Sequence, residues 1–330
     1  MNERTLRTLE LLFASLLATG SLGGACGPCD PEYTSVTPRL PPANPGGTAP
    51  PSFDPTEIGP GECARYCGTG YTACDAVVLA GGLPAVECVQ PNMCGAGRRP
   101  RGLRRPALAR LDASAAWLAQ AAHLEAASVH AFERLAAELS ALGAPPRLVA
   151  RARRAARDEQ RHAKLVGELA AERGAAAPEL RVDAAAPRTA LAVAAENATE
   201  GCVGEAFAAL VARHQAIHAA APSLRRTFER IARDEAAHAA LAYDVDAWLH
   251  TRLTPAERAR VARARARASA RLASAYSAHA SARAQLGLPS PEAGRALARA
   301  LDEALGWSSL ASTARATRMP SSAALTIPPA

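Results

Sequence analysis

Ala156-Arg157-Asp158-Glu159-Gln160-Arg161-His162-Ala163 and Ala232-Arg233-Asp234-Glu235-Ala236-Ala237-His238-Ala239 read almost alike, and their common pattern decides how the rest of the chain is understood. Each contains Glu-x-x-His. In a helix this i, i+3 spacing puts a carboxylate and an imidazole on one face. Upstream of each, at nearly equal distance, lies a second matched stretch. One runs from Glu125 through Ser128 and His130 to Phe132, the other from Glu200 through Cys202 and Glu205 to Phe207. The unit Glu…Glu-x-x-His is therefore written twice. A single copy in an Ala/Arg/Glu-rich helix carries little information, and the doubling carries the weight.

Working outward, each motif sits on the apolar seam of a long helix. The first seam is Leu118, Ala121, Glu125, Ser128, Phe132, Leu135, Leu139 and Leu142, and Gly143-Ala144-Pro145-Pro146 ends that helix and restarts the next. The second is Leu148, Ala152, Ala155, Glu159, His162, Val166 and Leu169. The third is Val193, Asn197, Glu200, Val203, Phe207, Leu210, His214 and Ile217. After Pro222-Ser223 the fourth follows, with Phe228, Ile231, Glu235, His238, Ala242, Val245 and Leu249. Each seam is apolar except near its midpoint. Short hairpin loops bring those midpoints to a similar height, where carboxylates meet in an apolar interior. Such a cluster is prohibitively costly unless it is protonated or matched by cations. Internal duplication alone would explain the similarity of the halves, but not why the polar residues fall on the buried seam.

One Glu from each of two helices and one Glu-x-x-His from each of the other two is the ligand set of a four-helix di-metal site. On these residues the stretch 112–251 resembles the ferritin-like di-iron carboxylate family. The resemblance implies an all-α fold, a four-helix bundle with a long crossover between its second and third helices. Residues 174–188, with Gly174, Pro178 and Pro187, supply that crossover. At about 3.3 Å per residue they reach roughly 50 Å, enough to run back along a helix of about 45 Å.

The expected ligands are Glu159 and Glu235 as bridging carboxylates, Glu125 and Glu200 as terminal ones, and His162 and His238 as one imidazole per ion. Such a donor set suits iron or manganese; the resemblance favours two iron ions, and zinc stays open on affinity. In the family, the Asp before each motif holds the far nitrogen of the opposite His, which pairs Asp158 with His238 and Asp234 with His162. Dioxygen or peroxide is the implied oxidant, with an unspecified small-molecule substrate or electron donor. The implied activity is that of an oxidase, oxygenase or peroxidase. Iron storage without turnover and a metal-free envelope scaffold are the alternatives.

Glu205 stands apart. It follows Glu200 by five residues, about 140° around a regular helix, and its repeat partner is His130. That direction places it toward a neighbouring helix or solvent. Yet Gly201 and Gly204 flank the turn, and each Gly inside a helix costs about 1 kcal/mol relative to Ala. A π-bulge, or space for a small molecule, would justify them. A bulge would swing Glu205 to the metals as an additional ligand. Cys202 reads as a buried free thiol, and His214, His218, His123 and His250 as structural.

The flanks are of a different kind. Residues 1–25 carry Arg4, Arg7 and a short apolar run, which fits an export signal and is too short for a membrane span. Cleavage before Cys26 would make it the first mature residue, resembling a bacterial lipoprotein anchored through a lipidated Cys26, in the periplasm or at the cell surface. Residues 26–97 form a Pro/Gly-rich segment with Cys26, Cys29, Cys63, Cys67, Cys74, Cys88 and Cys94. Without Cys26 the set is even, as disulfides in an oxidising compartment require. A zinc module built on Cys63-x3-Cys67 finds no His in the segment.

Residues 98–110 read as a basic linker, 111–252 as the bundle, 253–312 as C-terminal helices with Arg263, Arg265 and Arg267 on a solvated face, and 313–330 as a disordered tail. The net charge of +7 comes from Arg almost throughout, with Lys164 the sole lysine. No aromatic residues interleave a basic face, which argues against nucleic acid. A homodimer is compatible with this organisation.

Overall fold

The computed structural model describes residues 10–15, 37–39, 73–78, 84–89, 98–104, 113–183, 188–275 and 280–307. The tail 313–330, Cys26 and the cleavage point before it lie outside the described residues. The chain is mostly helical. Its helices are α1 (Ala113–Ala141), α2 (Pro146–Ala171), α3 (Ala190–Glu196), α4 (Ala206–His218), α5 (Pro222–His250), α6 (Pro255–Ala275), α7 (Ala280–Leu286) and α8 (Pro291–Leu305). Between α3 and α4 the backbone continues without a break as a π-helix over Asn197–Glu205.

Four rods therefore make the bundle: α1, α2, the α3–π–α4 rod and α5. Their ends follow from local chemistry. The α1–α2 hairpin turns at Gly143, whose φ of +73° suits a residue without Cβ, and Ala144 N donates to Leu139 O at 2.8 Å. Pro146 and Pro222 open α2 and α5, where no amide donor is required. Thr189 caps α3 by accepting from Ala192 N.

The bundle core is layered. Toward one end, Leu118, Leu169, Leu224, Phe228 and Ile231 pack together. Toward the other, Phe132, Leu135, Leu139, Leu148, Val193, Leu241, Val245 and Leu249 do so. The Glu and His residues of the doubled motif lie between these two apolar layers. A third cluster joins the outer helices to the bundle through Phe207, Leu210, Leu272, Leu297, Leu301 and Trp307. Phe13, from a helical piece at residues 10–15, is buried in the same cluster. Among the described residues, no helix is long and apolar enough to cross a membrane.

Three regions depart from the sequence expectation. The cysteine-rich segment contains strands β1 (Thr37–Arg39), β2 (Ala73–Val78) and β3 (Pro84–Val89), in antiparallel order β1-β3-β2, with Cys74 opposite Cys88 in the register. Val77 and Val78 in β2 and Val86 and Val89 in β3 are β-branched and suit a pleated ribbon. Arg265 is not on a solvated face, because it is buried and ion-paired to Asp246. A buried guanidinium needs such a partner, and Asp246 on α5 provides it.

The start of the basic linker is also ordered. Leu103 bridges Val182 of the crossover, with Arg104 N donating to Arg181 O and Asp183 N to Gly102 O. Gly102, at φ +88°, meets Asp183 so closely that a Cβ would stand 3.0 Å from its carbonyl oxygen. This pairing fixes the arm 98–104 against the bundle.

Candidate metal centre

Two groups of side chains meet in the middle layer. Glu125, Glu159, His162 and Glu235 form one, and Glu159, Glu205, Glu235 and His238 the other, with the ligand atoms of each within 4.8 Å of one another. Glu159 and Glu235 belong to both. Every member is buried, none more than 2% exposed. His162 Nδ1 lies 3.7 Å from Glu125 Oε2, 3.7 Å from Glu159 Oε2 and 3.4 Å from Glu235 Oε1. His238 Nδ1 lies 3.0 Å from Glu159 Oε1, 3.9 Å from Glu205 Oε2 and 3.7 Å from Glu235 Oε2.

The structure thus gathers Glu125, Glu159, His162, Glu235 and His238, and it leaves Glu200 out. Glu200 is only partly buried, and its Oε2 accepts from Arg99 N at 3.3 Å. Glu205 takes the fourth carboxylate position. The cause is the π-helix: its wider turn changes where its own residues point, so that Glu205 at its end enters the cluster. Gly201 permits this path. A Cβ there would stand 2.3 Å from Arg98 Nη2 and 2.7 Å from Ala242 Cβ. At Gly204 the nearest atom would be 3.6 Å away, so close packing does not require a glycine there.

Both imidazoles turn Nδ1 inward and Nε2 outward to an Asp. His162 Nε2 is 3.2 Å from Asp234 Oδ2, and His238 Nε2 is 3.6 Å from Asp158 Oδ2. The pairing is crosswise between α2 and α5. An Asp on Nε2–H fixes the tautomer that leaves Nδ1 a free lone pair. Arg161 ties the two acids together, donating from Nη2 to Asp158 Oδ1 at 2.6 Å and to Asp234 Oδ2 at 3.5 Å.

The electrostatics divide the carboxyls into two pairs. Burial, reinforced by the charge of Glu159, holds Glu125 well above the usual carboxylate range. Burial and the charge of Glu235 do the same to Glu205. Burial also pushes Glu159 and Glu235 upward, but the attraction of the adjacent His162 and His238 imidazoles outweighs it and holds both below that range. Desolvation opposes charge on the imidazoles, but Asp234, Asp158 and those acids outweigh it and favour the protonated form. The metal-free cluster therefore favours protons where two metal ions would bring positive charge. Metal binding would release those protons.

Whether the residues fit a metal pair is decided by their unmet valences. Among the described residues, both oxygens of Glu159, Glu205 and Glu235, Oε2 of Glu125, and Nδ1 of His162 and His238 are buried with no hydrogen-bond partner. Orphaned acceptors in such number are rare in a folded interior. Two cations satisfy this inward set together. Oxygen-rich donors with one imidazole per ion fit iron or manganese.

Sequence reasoning missed Arg98. From the linker, it runs into the bundle and is fully buried. Its Nη2 donates to Asn197 Oδ1 at 3.0 Å, its guanidinium lies 5.0 Å from the Phe132 ring centre, and its Nε is 3.7 Å from Glu205 Oε1. Nothing in a stretch rich in Arg, Pro and Gly distinguishes it from its neighbours. Cys202 is a buried free thiol, pushed up to about 12 by desolvation. His214 Nδ1 contacts Gly287 O at 2.7 Å and lies outside the cluster.

Compared with known protein families, with curated proteins and with solved structures, this chain matches none.

Proposed function

We propose that the chain is a ferritin-like di-iron carboxylate protein, an oxidoreductase whose centre reacts with dioxygen or peroxide. The observation that carries this reading is the pair of interlocked Glu/His groups sharing Glu159 and Glu235 in a dry layer of the bundle. Iron bound there would supply two adjacent one-electron reductants for the oxidant. Glu159 and Glu235 would each hold both ions, Glu125 and His162 one, and Glu205 and His238 the other. Asp234 holds the outward nitrogen of His162 and Asp158 stands 3.6 Å from that of His238, an arrangement that keeps each Nδ1 aimed inward. The apolar layers above and below exclude water, which strengthens every charge interaction within. The facing positions of Cys74 and Cys88 in the sheet register support an exported protein with an oxidised cysteine-rich segment.

Anaerobic titration with Fe(II) tests the proposal. The expected result is about two ions per chain, followed on exposure to air or peroxide by the near-ultraviolet absorption of ferric carboxylates. Glu159→Gln, which removes a shared ligand, should abolish the paired uptake. Failure to bind Fe(II) or Mn(II) refutes the metal centre. Binding without oxidation refutes the oxidoreductase and leaves a metal-binding protein.

A further inference from the structure

The guanidinium of Arg98 stands beside the proposed metal ligands, its Nε 3.7 Å from Glu205 Oε1 and beyond hydrogen-bond reach of it. It reaches the centre from outside the four rods, and its place is built on several sides. Arg98 N donates to Ser128 Oγ at 2.8 Å, Nη2 donates to Asn197, and the Phe132 ring lies under its face. The missing side chain at Gly201 leaves the space that Nη2 fills. Asn197 is itself fixed, donating from Nδ2 to Ala242 O at 2.8 Å. Yet Arg98 Nε and Nη1 are buried and have no hydrogen-bond partner among the described residues. Two metal ions would satisfy the carboxylates and the Nδ1 atoms but do nothing for these donors.

Charge points the same way. Two divalent ions neutralise the four clustered carboxylates when both imidazoles are neutral, so Glu205, 3.7 Å from Arg98 Nε, would be shared between a metal ion and the guanidinium. Glu200 accepts from Arg99 N. A buried guanidinium whose carboxylate is shared in this way gains from a further anion at its free donors.

We propose that Arg98 marks an anion subsite of the metal centre, taking a small monoanionic oxygen or nitrogen donor such as a carboxylate, hydroperoxide or azide between the guanidinium and the metal pair. The inference rests on the di-metal reading. Arg98 is a binding and positioning residue in it: the guanidinium orients the anion and matches its charge, while the metals take its other end.

The test uses the full chain loaded with two Co(II) and titrated with sodium azide, read by the visible Co(II) absorption. The wild type should respond saturably. Arg98→Gln should bind azide at least about tenfold more weakly, the loss expected for one charged hydrogen bond, with Co(II) stoichiometry unchanged. Arg98→Lys, which keeps the charge without the planar donors, should fall between. Equal azide affinity in wild type and Arg98→Gln overturns the proposal, as does a wild-type spectrum that azide does not move. Should Arg98→Gln fail to hold Co(II), the residue is structural and the proposal also falls. A wild type that takes up no Co(II) overturns the metal centre itself, which is a distinguishable failure.

Discussion

Exchanging Glu205 for Gln, and in parallel Glu200 for Gln, separates the carboxylate that the structure places in the cluster from the one that the sequence repeat selects. Glu205 is fully buried, with no hydrogen-bond partner on either oxygen among the described residues, and its Oε2 lies 3.9 Å from His238 Nδ1. Burial and Glu235 hold its carboxyl well above the usual range, which favours the neutral form. Gln matches that neutral form in shape, so without metal the exchange should cost under about 1 kcal/mol. With metal the comparison changes. A neutral amide cannot supply the anionic ligand. Losing it should cost at least as much as losing an outer hydrogen-bond partner of a ligand, taken at its upper value of about 100-fold in affinity. That is about 2.7 kcal/mol of metal-dependent stability. At about 2–4 °C per kcal/mol for a domain of this size, the metal-induced rise in Tm should shrink by roughly 5–11 °C. Glu200→Gln keeps an oxygen to accept from Arg99 N and should leave the rise intact. Thermal melts of both variants and wild type, with Mn(II) absent and in fixed excess, read the effect directly. Loss of the rise in Glu200→Gln but not in Glu205→Gln would refute the assignment and the π-helix argument behind it.

Two further outcomes follow from the same geometry. Asp234→Asn weakens the hold on His162 Nε2 and loosens Arg161, so metal affinity measured by competition with a chelator should fall by about 10–100-fold while the fold persists. Gly201→Ala places a methyl 2.3 Å from Arg98 Nη2 and 2.7 Å from Ala242 Cβ; urea unfolding should show a loss of about 1–3 kcal/mol, whereas Gly204→Ala should lose nothing.

Much of the bundle could be read from period alone, because apolar seams of three- and four-residue steps declare both the helices and the faces they bury. The doubled Glu-x-x-His located Glu159, His162, Glu235 and His238, and the seam located Glu125, since a carboxylate on an apolar stripe is conspicuous. Glu200 lay on an equally good stripe and still points elsewhere. Periodicity assumes a constant turn, and the nine-residue π-helix over Asn197–Glu205 breaks that assumption. Only the glycines hinted at it. The three strands were hidden by a different cause: in a segment rich in Pro, Gly and Cys, short β-branched runs give too weak an alternation to stand out. Arg98 and Arg265 were invisible because an Arg-rich chain offers no local mark for the guanidinium that will be buried. Burial of a charge is decided by partners distant in sequence, here Glu205 and Asn197 for one and Asp246 for the other.

The two halves of the repeat are therefore not equivalent, and the difference has a structural logic. In the first half Glu125 stands on a regular helix and Ser128 Oγ receives Arg98 N. In the second, Glu200 is turned to Arg99 N, Asn197 receives the Arg98 guanidinium, and the π-helix delivers Glu205 in its place. A symmetric pair of half-sites would leave nowhere for the arm 98–104 to enter. Widening one of the four rods admits a cation from outside the bundle and still keeps four carboxylates around the centre. The broken symmetry at Glu200 and the buried arginine are thus one feature: Gly201 provides the space, Asn197 and Phe132 hold the guanidinium, and Glu205 connects it to the layer where the metals would bind.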